Sequence, residues 1–439
     1  MIPEIFLAVS LVGAWFTFNA YVPLRAAGLL VAPSFFSGWL TSELALHHLG
    51  WQVVAALGFF LAGALDAWPG WLGLGICIVS WAGLYRLAKW GDEAAGAVEA
   101  ALCEGLGSDY REGFDPEIAR TIEQPQRPGR RAIPFLLFDP EVRRTDGLFH
   151  TPGLGARGAL DIYAPRAGGE RMPVLLQVHG GAWVIGDRRQ QALPLMLQAS
   201  RSGWICVATN YRLSPSATFP DHIIDVKRAI AWVRANIAEY GGDPDTICIT
   251  GGSAGGHLSS LAALTANDAE YQPGFEEVDT SVSACVPFYG IYDFTNSHGM
   301  QPGDRMHTFL EKYVMQGARD ENRKEWETAS PLFRIHPTAP PFFVIHGSHD
   351  NLAMPSEARL FAERLRATSR EPVCYAEIPG AHHAFEVFYS RRTHHVVRGV
   401  ERFLAWVISR EARQAPRLSG AATTSSTTQR PQGSPSGLR

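Results

Sequence analysis

Ser253 stands in Gly251-Gly252-Ser253-Ala254-Gly255, between an apolar run at residues 247–250 and a helix-like stretch that begins at His257-Leu258. A serine on a sharp strand-to-helix turn is lifted clear of the sheet with its hydroxyl exposed, and flanking glycines leave room for the strained backbone. Such a serine can attack an acyl carbon. The five-residue pattern is short, so the strand-to-helix context carries the reading.

A serine hydroxyl needs a base to take its proton and a carboxylate to orient that base. Asp350 follows the strand-like run 342–346 through Gly347-Ser348-His349, and His383 follows the run 373–378 through Pro379-Gly380-Ala381. The order Ser253, Asp350, His383 is the one expected of an α/β-hydrolase. A third component precedes the serine. The run 174–178 ends in His179-Gly180-Gly181-Ala182-Trp183, a glycine turn whose N–H groups can face a developing oxyanion. Gly180, Gly181, Ala182 and Ala254 are therefore the oxyanion-hole candidates, with the N–H groups of Gly181, Ala182 and Ala254 as donors and Gly180 needed for the turn.

Other polar groups fit bland roles better. Asp293 follows an earlier strand than Asp350 and reads as structural. His179 and His257 read as braces of the loop and of the helix start. His346, His349 and Asp350, or the pair His394-His395, lack a second ligand set of metal-site spacing. Gly153-Leu154-Gly155-Ala156-Arg157-Gly158 matches a dinucleotide fingerprint in letters, but it precedes a strand and opens no helix. No metal or organic cofactor is expected.

These residues need a scaffold. Runs at 160–163, 174–178, 204–210, 247–250, 284–289, 342–346 and 373–378 are short and apolar or β-branched, as strands of one sheet are. Ile223, Val226, Ile230, Val233 and Ile237, and again Val396, Val400, Phe403 and Val407, recur at helical spacing. Apolar strands separated by helices predict an α/β fold, a mostly parallel sheet covered on both faces.

The first 85 residues have a different character. They contain Arg25 as their sole lysine or arginine, and six tryptophans. Residues 5–24, 49–65 and 68–85 are uncharged and near the length that crosses a bilayer, the last two forming a hairpin around Asp66. The run 26–40, interrupted by Pro33, is open to three readings: a fourth span, a re-entrant segment or an interfacial helix. No Lys or Arg precedes the first run, so it does not read as a cleaved signal peptide. Arg86 and Lys89 follow the last span and predict a cytoplasmic catalytic domain. Arg25 fits that orientation if there are three spans and an outside N-terminus. A soluble bundle with an apolar surface is the alternative.

The expected organisation is a transmembrane helical region (1–89), a linker and cap-contributing segment (90–141), a catalytic domain (142–410) and a disordered tail (411–439) rich in Ser, Thr, Gly, Pro and Gln. Arg127, Arg130 and Arg131 are candidates for contact with anionic headgroups, against the plainer reading of a solvated loop. Residues 297–334, with Met300, Met306, Phe309, Leu310, Tyr313 and Trp326, form either a cap over the acyl pocket or an insertion with its own small core. A net charge of −4 argues against nucleic acid as a partner. The six cysteines, singly spaced, read as buried free thiols.

His179-Gly180-Gly181-Ala182-Trp183, Asn210-Tyr211-Arg212-Leu213-Ser214-Pro215, Tyr240-Gly241-Gly242-Asp243-Pro244-Asp245 and Gly251-Gly252-Ser253-Ala254-Gly255-Gly256 together resemble the hormone-sensitive-lipase-like carboxylesterases of the α/β-hydrolase superfamily. Residues 142–408 carry the resemblance. Within that family the chain is most similar to actinobacterial Lip-type esterases with an apolar N-terminal region, and less so to isoprenylcysteine methylesterases. The resemblance implies a Ser253–Asp350–His383 triad and places the base one residue before Ala384-Phe385, at His383 rather than His382. Two positions depart from the pattern: many relatives have Asp where this chain has Gly252, and glycine where it has Ala182. The expected activity is membrane-tethered hydrolysis of hydrophobic carboxylic esters, with membrane lipid as a partner. Amide or formamide hydrolysis, methylesterase activity and a catalytically silent membrane adaptor are the alternatives.

Overall fold

The computed structural model describes residues 1–24, 31–122, 127 and 129–414. Arg25, the first part of the run 26–40 and the tail from residue 415 lie outside the described residues, as do Gln126 and Pro128.

Helices α1 (Ile2–Tyr21), α2 (Val31–Glu43), α3 (Ala45–Leu61) and α4 (Trp68–Asp92) open the chain. Pro3 and Pro69 sit in the first turns of α1 and α4, where a missing N–H costs no helical hydrogen bond. At 1.5 Å per residue α1 is about 30 Å long, and α2 only about 20 Å. α1 and the stretch beginning with α4 are long and apolar enough to cross a membrane, while α2 and α3 pass that test only as a pair bent by 93°. The described part of the run 26–40 belongs to α2, which by itself is shorter than a span.

The bundle buries several polar side chains among small apolar clusters and turns large apolar side chains outwards. Thr17 and Ser80 are buried with hydroxyls 2.8 Å apart, and Ser80 donates to Gln52 Oε1 at 3.1 Å. Leu11, Val12, Phe18, Val54, Leu57, Ile78 and Val79 point outwards. Water would penalise this arrangement, whereas lipid tails tolerate it and reward hydrogen bonds between helices.

α5 (Ala94–Leu106) and α6 (Pro116–Ile122) follow. Where the sequence suggested a linker, Ala94, Val98, Ala101 and Leu102 of α5 are buried in a core under the sheet.

Eight strands form one sheet in the order β1-β2-β4-β3-β5-β6-β7-β8. They are β1 (Val142–Phe149), β2 (Ala159–Pro165), β3 (Met172–Val178), β4 (Ile205–Thr209), β5 (Gly242–Gly252), β6 (Ala284–Phe288), β7 (Phe342–Gly347) and β8 (Val373–Ile378). β1 pairs antiparallel with β2, and β2 with β4; the remaining pairs are parallel. The helices are α7 (Leu193–Arg201), α8 (Asp221–Asn236), α9 (Ala254–Leu264), α10 (Arg305–Phe309), α11 (Arg323–Thr328), α12 (Pro355–Thr368) and α13 (Arg391–Gln414). α13 thus runs past residue 410, the expected end of the catalytic domain.

Alternation along the strands builds two cores. In β3, Val174, Leu176 and Val178 face one cluster with α8, α9 and α12, while Leu175 faces another with α5, α7 and α13. Each buried Val, Leu, Ile or Phe contributes about 1.5–3 kcal/mol before entropy is counted, which makes the sheet a rigid base for the loops at its carboxyl edge. All six cysteines are free, and only Cys103 is partly exposed.

The sheet-containing body sits at one end of the bundle. The Ala20 carbonyl at the end of α1 lies 3.1 Å from His382 Nε2, and Trp90 near the end of α4 meets the His349 ring at 5.1 Å. α2 lies across the loop that carries His383: Trp39 Nε1 donates to the Ala384 carbonyl at 2.9 Å, and Ser42 Oγ to that of Gly380 at 3.1 Å.

Candidate active site

Ser253 occupies the turn between β5 and α9 with φ 58° and ψ −120°, a strained conformation for a residue with a side chain. Its N–H is held by the Phe288 carbonyl at 2.9 Å. Gly255 has to be glycine, because a Cβ there would stand 2.1 Å from the Val178 carbonyl oxygen where α9 crosses β3. The turn therefore stores strain that the close packing of helix on sheet sustains.

Asp350 is fully buried after β7. Its Oδ2 lies 2.6 Å from His383 Nδ1 and 3.3 Å from His346 Nε2, and its Oδ1 accepts the N–H groups of Leu352 and Ala353 at 2.8 and 2.9 Å. Burial alone would raise this carboxyl. The adjoining His383 charge and the hydrogen bonds from His346 and His383 outweigh it and hold the group well below the usual carboxylate range. His383 and Ser253 both line a cavity of about 380 Å³, together with the apolar side chains of Val31, Trp183, Ile291, Met306, Phe309, Leu352 and Met354. That volume falls in the range of small-molecule sites.

The turn after β3 is unusual in its backbone. Gly181, Ala182 and Trp183 have φ of 116°, 51° and 61°. The Gly180 N–H is taken by Gln191 Oε1 at 2.7 Å, so Gly180 serves the turn and is not available as a donor. The N–H groups of Gly181, Ala182 and Ala254 have no such acceptor among the described residues. Trp183 anchors the turn by donating from Nε1 to His257 Nδ1 at 3.2 Å, and His257 Nε2 lies 2.7 Å from the Ala329 carbonyl. Burial pushes His257 down to about 3, so it stays neutral. His179 stacks on Tyr211 at 4.4 Å and is lowered by burial to about 4.

His382 points away from Asp350 towards α1, and burial lowers it to about 4. Asp293 accepts N–H and hydroxyl groups of Thr295 and Ser297, closing its own loop. His349 lies 3.2 Å from the Ala20 carbonyl, and the His394 and His395 rings are 5.0 Å apart on α13. The segment 297–334 divides: Met306 and Phe309 face the cavity, whereas Leu310 and Trp326 are buried in the main core.

Three neighbours of the site carry no sequence signal of their own. Tyr289 lies under the His383 ring at 4.5 Å and donates its hydroxyl to the buried Glu386 carboxyl. Phe35 of α2 meets the same imidazole edge-on at 6.2 Å, and Trp39 stacks on Phe35 at 5.5 Å. Phe35 and Trp39 lie in the run 26–40, whose aromatic residues were the available hint.

The sequence matches the BD-FAE family over residues 160–365. It is 45% identical over 413 residues to the probable carboxylic ester hydrolase LipM of Mycobacterium tuberculosis, covering 91% of this chain and 93% of that protein. It is 44% identical over 328 residues to esterase LipQ of the same organism, covering 73% and 77%. Among solved structures, a truncated carbohydrate esterase from gut microbiota superposes with a TM-score of 0.53 at 22% identity, covering 60% of this chain and 96% of that one, a likeness of fold.

Proposed function

The chain belongs to the Lip-type carboxylic ester hydrolases, and from that premise we propose that it is a membrane-tethered serine esterase acting on hydrophobic acyl esters through Ser253, His383 and Asp350. His383 takes the Ser253 proton as the hydroxyl oxygen attacks the ester carbonyl, and the Asp350 carboxylate holds the imidazole and stabilises its cation. The N–H groups of Gly181, Ala182 and Ala254 receive the oxyanion; one such donor is worth about 2.7–4 kcal/mol in comparable hydrolases. The imidazolium then protonates the leaving alcohol, and water activated by the same base releases the acid from the acyl-enzyme. The observation that carries this reading is the 2.6 Å contact between Asp350 and His383 beside a cavity that His383 and Ser253 share.

Most of the cavity wall is apolar, which favours an acyl chain, while Gln301, Arg305 and Asn351 add polar groups to the lining. The exposed apolar face of the bundle supports lipid as its surroundings, with α1 and α4 as spans, α3 with its 17 residues as a third at the short end of spanning length, and α2 bent from it at the bilayer surface. The N-terminus would then lie opposite the catalytic body, and Arg86 and Lys89, exposed at the body's end of α4, favour the cytoplasmic side for that body.

The test is hydrolysis by the full chain, reconstituted in vesicles, of p-nitrophenyl esters from acetyl to palmitoyl, with Ser253→Ala as blank. We expect kcat/KM to rise from acetyl to medium or longer chains. Activity confined to short polar esters would overturn the acyl preference, and equal turnover by Ser253→Ala would overturn the nucleophile.

A further inference from the structure

We propose that residues 129–138 form an interfacial docking loop that seats the catalytic body on the headgroup layer of the bilayer holding α1, α3 and α4. This rests on the membrane reading above.

The loop presents four large apolar side chains within six residues: Ile133, Phe135, Leu136 and Phe138 are 60, 61, 48 and 61% exposed. Exposure on this scale over so short a segment is not the pattern of a solvated loop. Nor is the segment loose. Arg130 is buried, donates to the Leu136 carbonyl at 2.6 Å and to Asp139 Oδ2 at 2.9 Å, and lies over the Tyr389 ring at 5.1 Å. Arg127 pairs with Asp139 and Glu141 at 3.1 and 2.7 Å. Two of the three arginines weighed as headgroup contacts, Arg127 and Arg130, are therefore internal braces, and what they brace is an apolar display.

Position supplies the occupant. The Ala132 carbonyl lies 3.1 Å from His47 Nε2, in the first turn of α3. Phe135 packs on Phe388 at 5.0 Å, and Phe388 on Trp39 of α2 at 5.4 Å. The loop thus continues the apolar surface of the bundle at the level where α3 begins and α4 ends. Exposed cations lie at the same level, Arg131 in the loop itself and Arg86 and Lys89 in the last turns of α4. Apolar and aromatic side chains bordered by cations match the boundary between acyl chains and anionic headgroups. A water-facing loop would gain nothing from this arrangement.

The experiment uses the full chain in vesicles of phosphatidylcholine and phosphatidylglycerol. In a Cys103→Ser background, which removes the one partly exposed thiol, an environment-sensitive fluorophore is attached at Phe138→Cys or, as a control, at Leu57→Cys on the outer face of α3. We expect both to be quenched by lipids carrying a quencher on the acyl chain, position 138 by shallow quenchers best. Separately, Ile133→Ser with Phe138→Ser should raise KM for a vesicle-embedded ester about 10-fold and leave kcat and the kinetics on a soluble short ester unchanged. Quenching at 57 but not at 138, or an unchanged KM, overturns the docking loop and leaves the tether intact. No quenching at 57 overturns the membrane reading itself. Shielding at 138 that depends on protein density and not on the lipid quencher assigns the surface to a second copy of the chain and overturns the proposal. The single label at 138 keeps the test decisive if the double variant misfolds.

Discussion

Adding one methyl group at Gly252 tests how tightly the base is held. Gly252 lies outside the left-handed region, so alanine meets no backbone penalty there and in open space would stabilise the chain by about 0.4–1 kcal/mol. The space is not open. A Cβ would stand 2.7 Å from the Tyr289 hydroxyl oxygen and 2.9 and 3.0 Å from Cε2 and Cζ of the same ring. That ring is buried, bonded through its hydroxyl to Glu386, and 4.5 Å from the His383 imidazole. It can yield only by breaking the Glu386 contact or by pushing His383 off Asp350. Overpacking of this kind costs about 1–3 kcal/mol, and displacement of a catalytic group by about 1 Å costs about 100-fold in rate. Gly252→Ala should therefore destabilise the solubilised protein by about 2 kcal/mol and lower kcat/KM by about 10- to 100-fold. In the double variant with Tyr289→Ala the two losses should not add, leaving a coupling of about 1–2 kcal/mol. The assays are thermal unfolding and p-nitrophenyl butyrate hydrolysis on all four proteins of the cycle. A Gly252→Ala protein as stable and active as the parent, or strictly additive losses, would refute the reasoning. An aspartate at 252 would meet the same crowding from Tyr289 and set a second carboxyl beside Glu386.

Asp350→Asn should lower kcat by about 10³- to 10⁴-fold with KM little changed, because the amide favours the wrong imidazole tautomer; steady-state kinetics on a soluble ester reads this. His383→Ala should abolish turnover, whereas His382→Ala, which loses only the contact to the Ala20 carbonyl, should retain activity within about 10-fold; reversed effects would move the base to His382. The Glu386 carboxyl is buried and its pKa is pushed up to about 7. A raised folded-state value means that its contribution is complete below the ordinary value of 4.5 and is lost as pH rises through about 7. Glu386→Gln should flatten that decline, measured as unfolding midpoints across this window, and an unchanged slope would contradict it.

The candidate site residues stand out in the sequence because their spacing is tied to strand ends: Ser253, Asp350 and His383 each follow a short apolar run, and a glycine turn follows β3. The mostly parallel sheet was legible for the same reason, since buried strands must be apolar throughout. β1 was not, because Arg143, Arg144 and Asp146 face solvent on an edge strand and mask the apolar period. α5 was read as a connection because its alanines suit any helix, and its burial depends on β8 and α13, far away in sequence. The hold of α2 on the histidine loop is longer in range still: Trp39 and Ala384 are 345 residues apart, and no local pattern encodes that contact. The ion pairs of Arg127 and Arg130 were hidden for a related reason, and neither the headgroup reading nor the solvated loop anticipated them. A cluster of cations beside an apolar region suggests headgroups until the buried Asp139 that neutralises them is seen.

The central claim is that Ser253 is an activated nucleophile. Its most direct test is labelling of the detergent-solubilised full chain with a fluorophosphonate, followed by peptide mapping of the adduct. The account predicts a single modified residue, Ser253, and no labelling of Ser253→Ala. Equal labelling of the variant, or an adduct mapped to another residue, would contradict it.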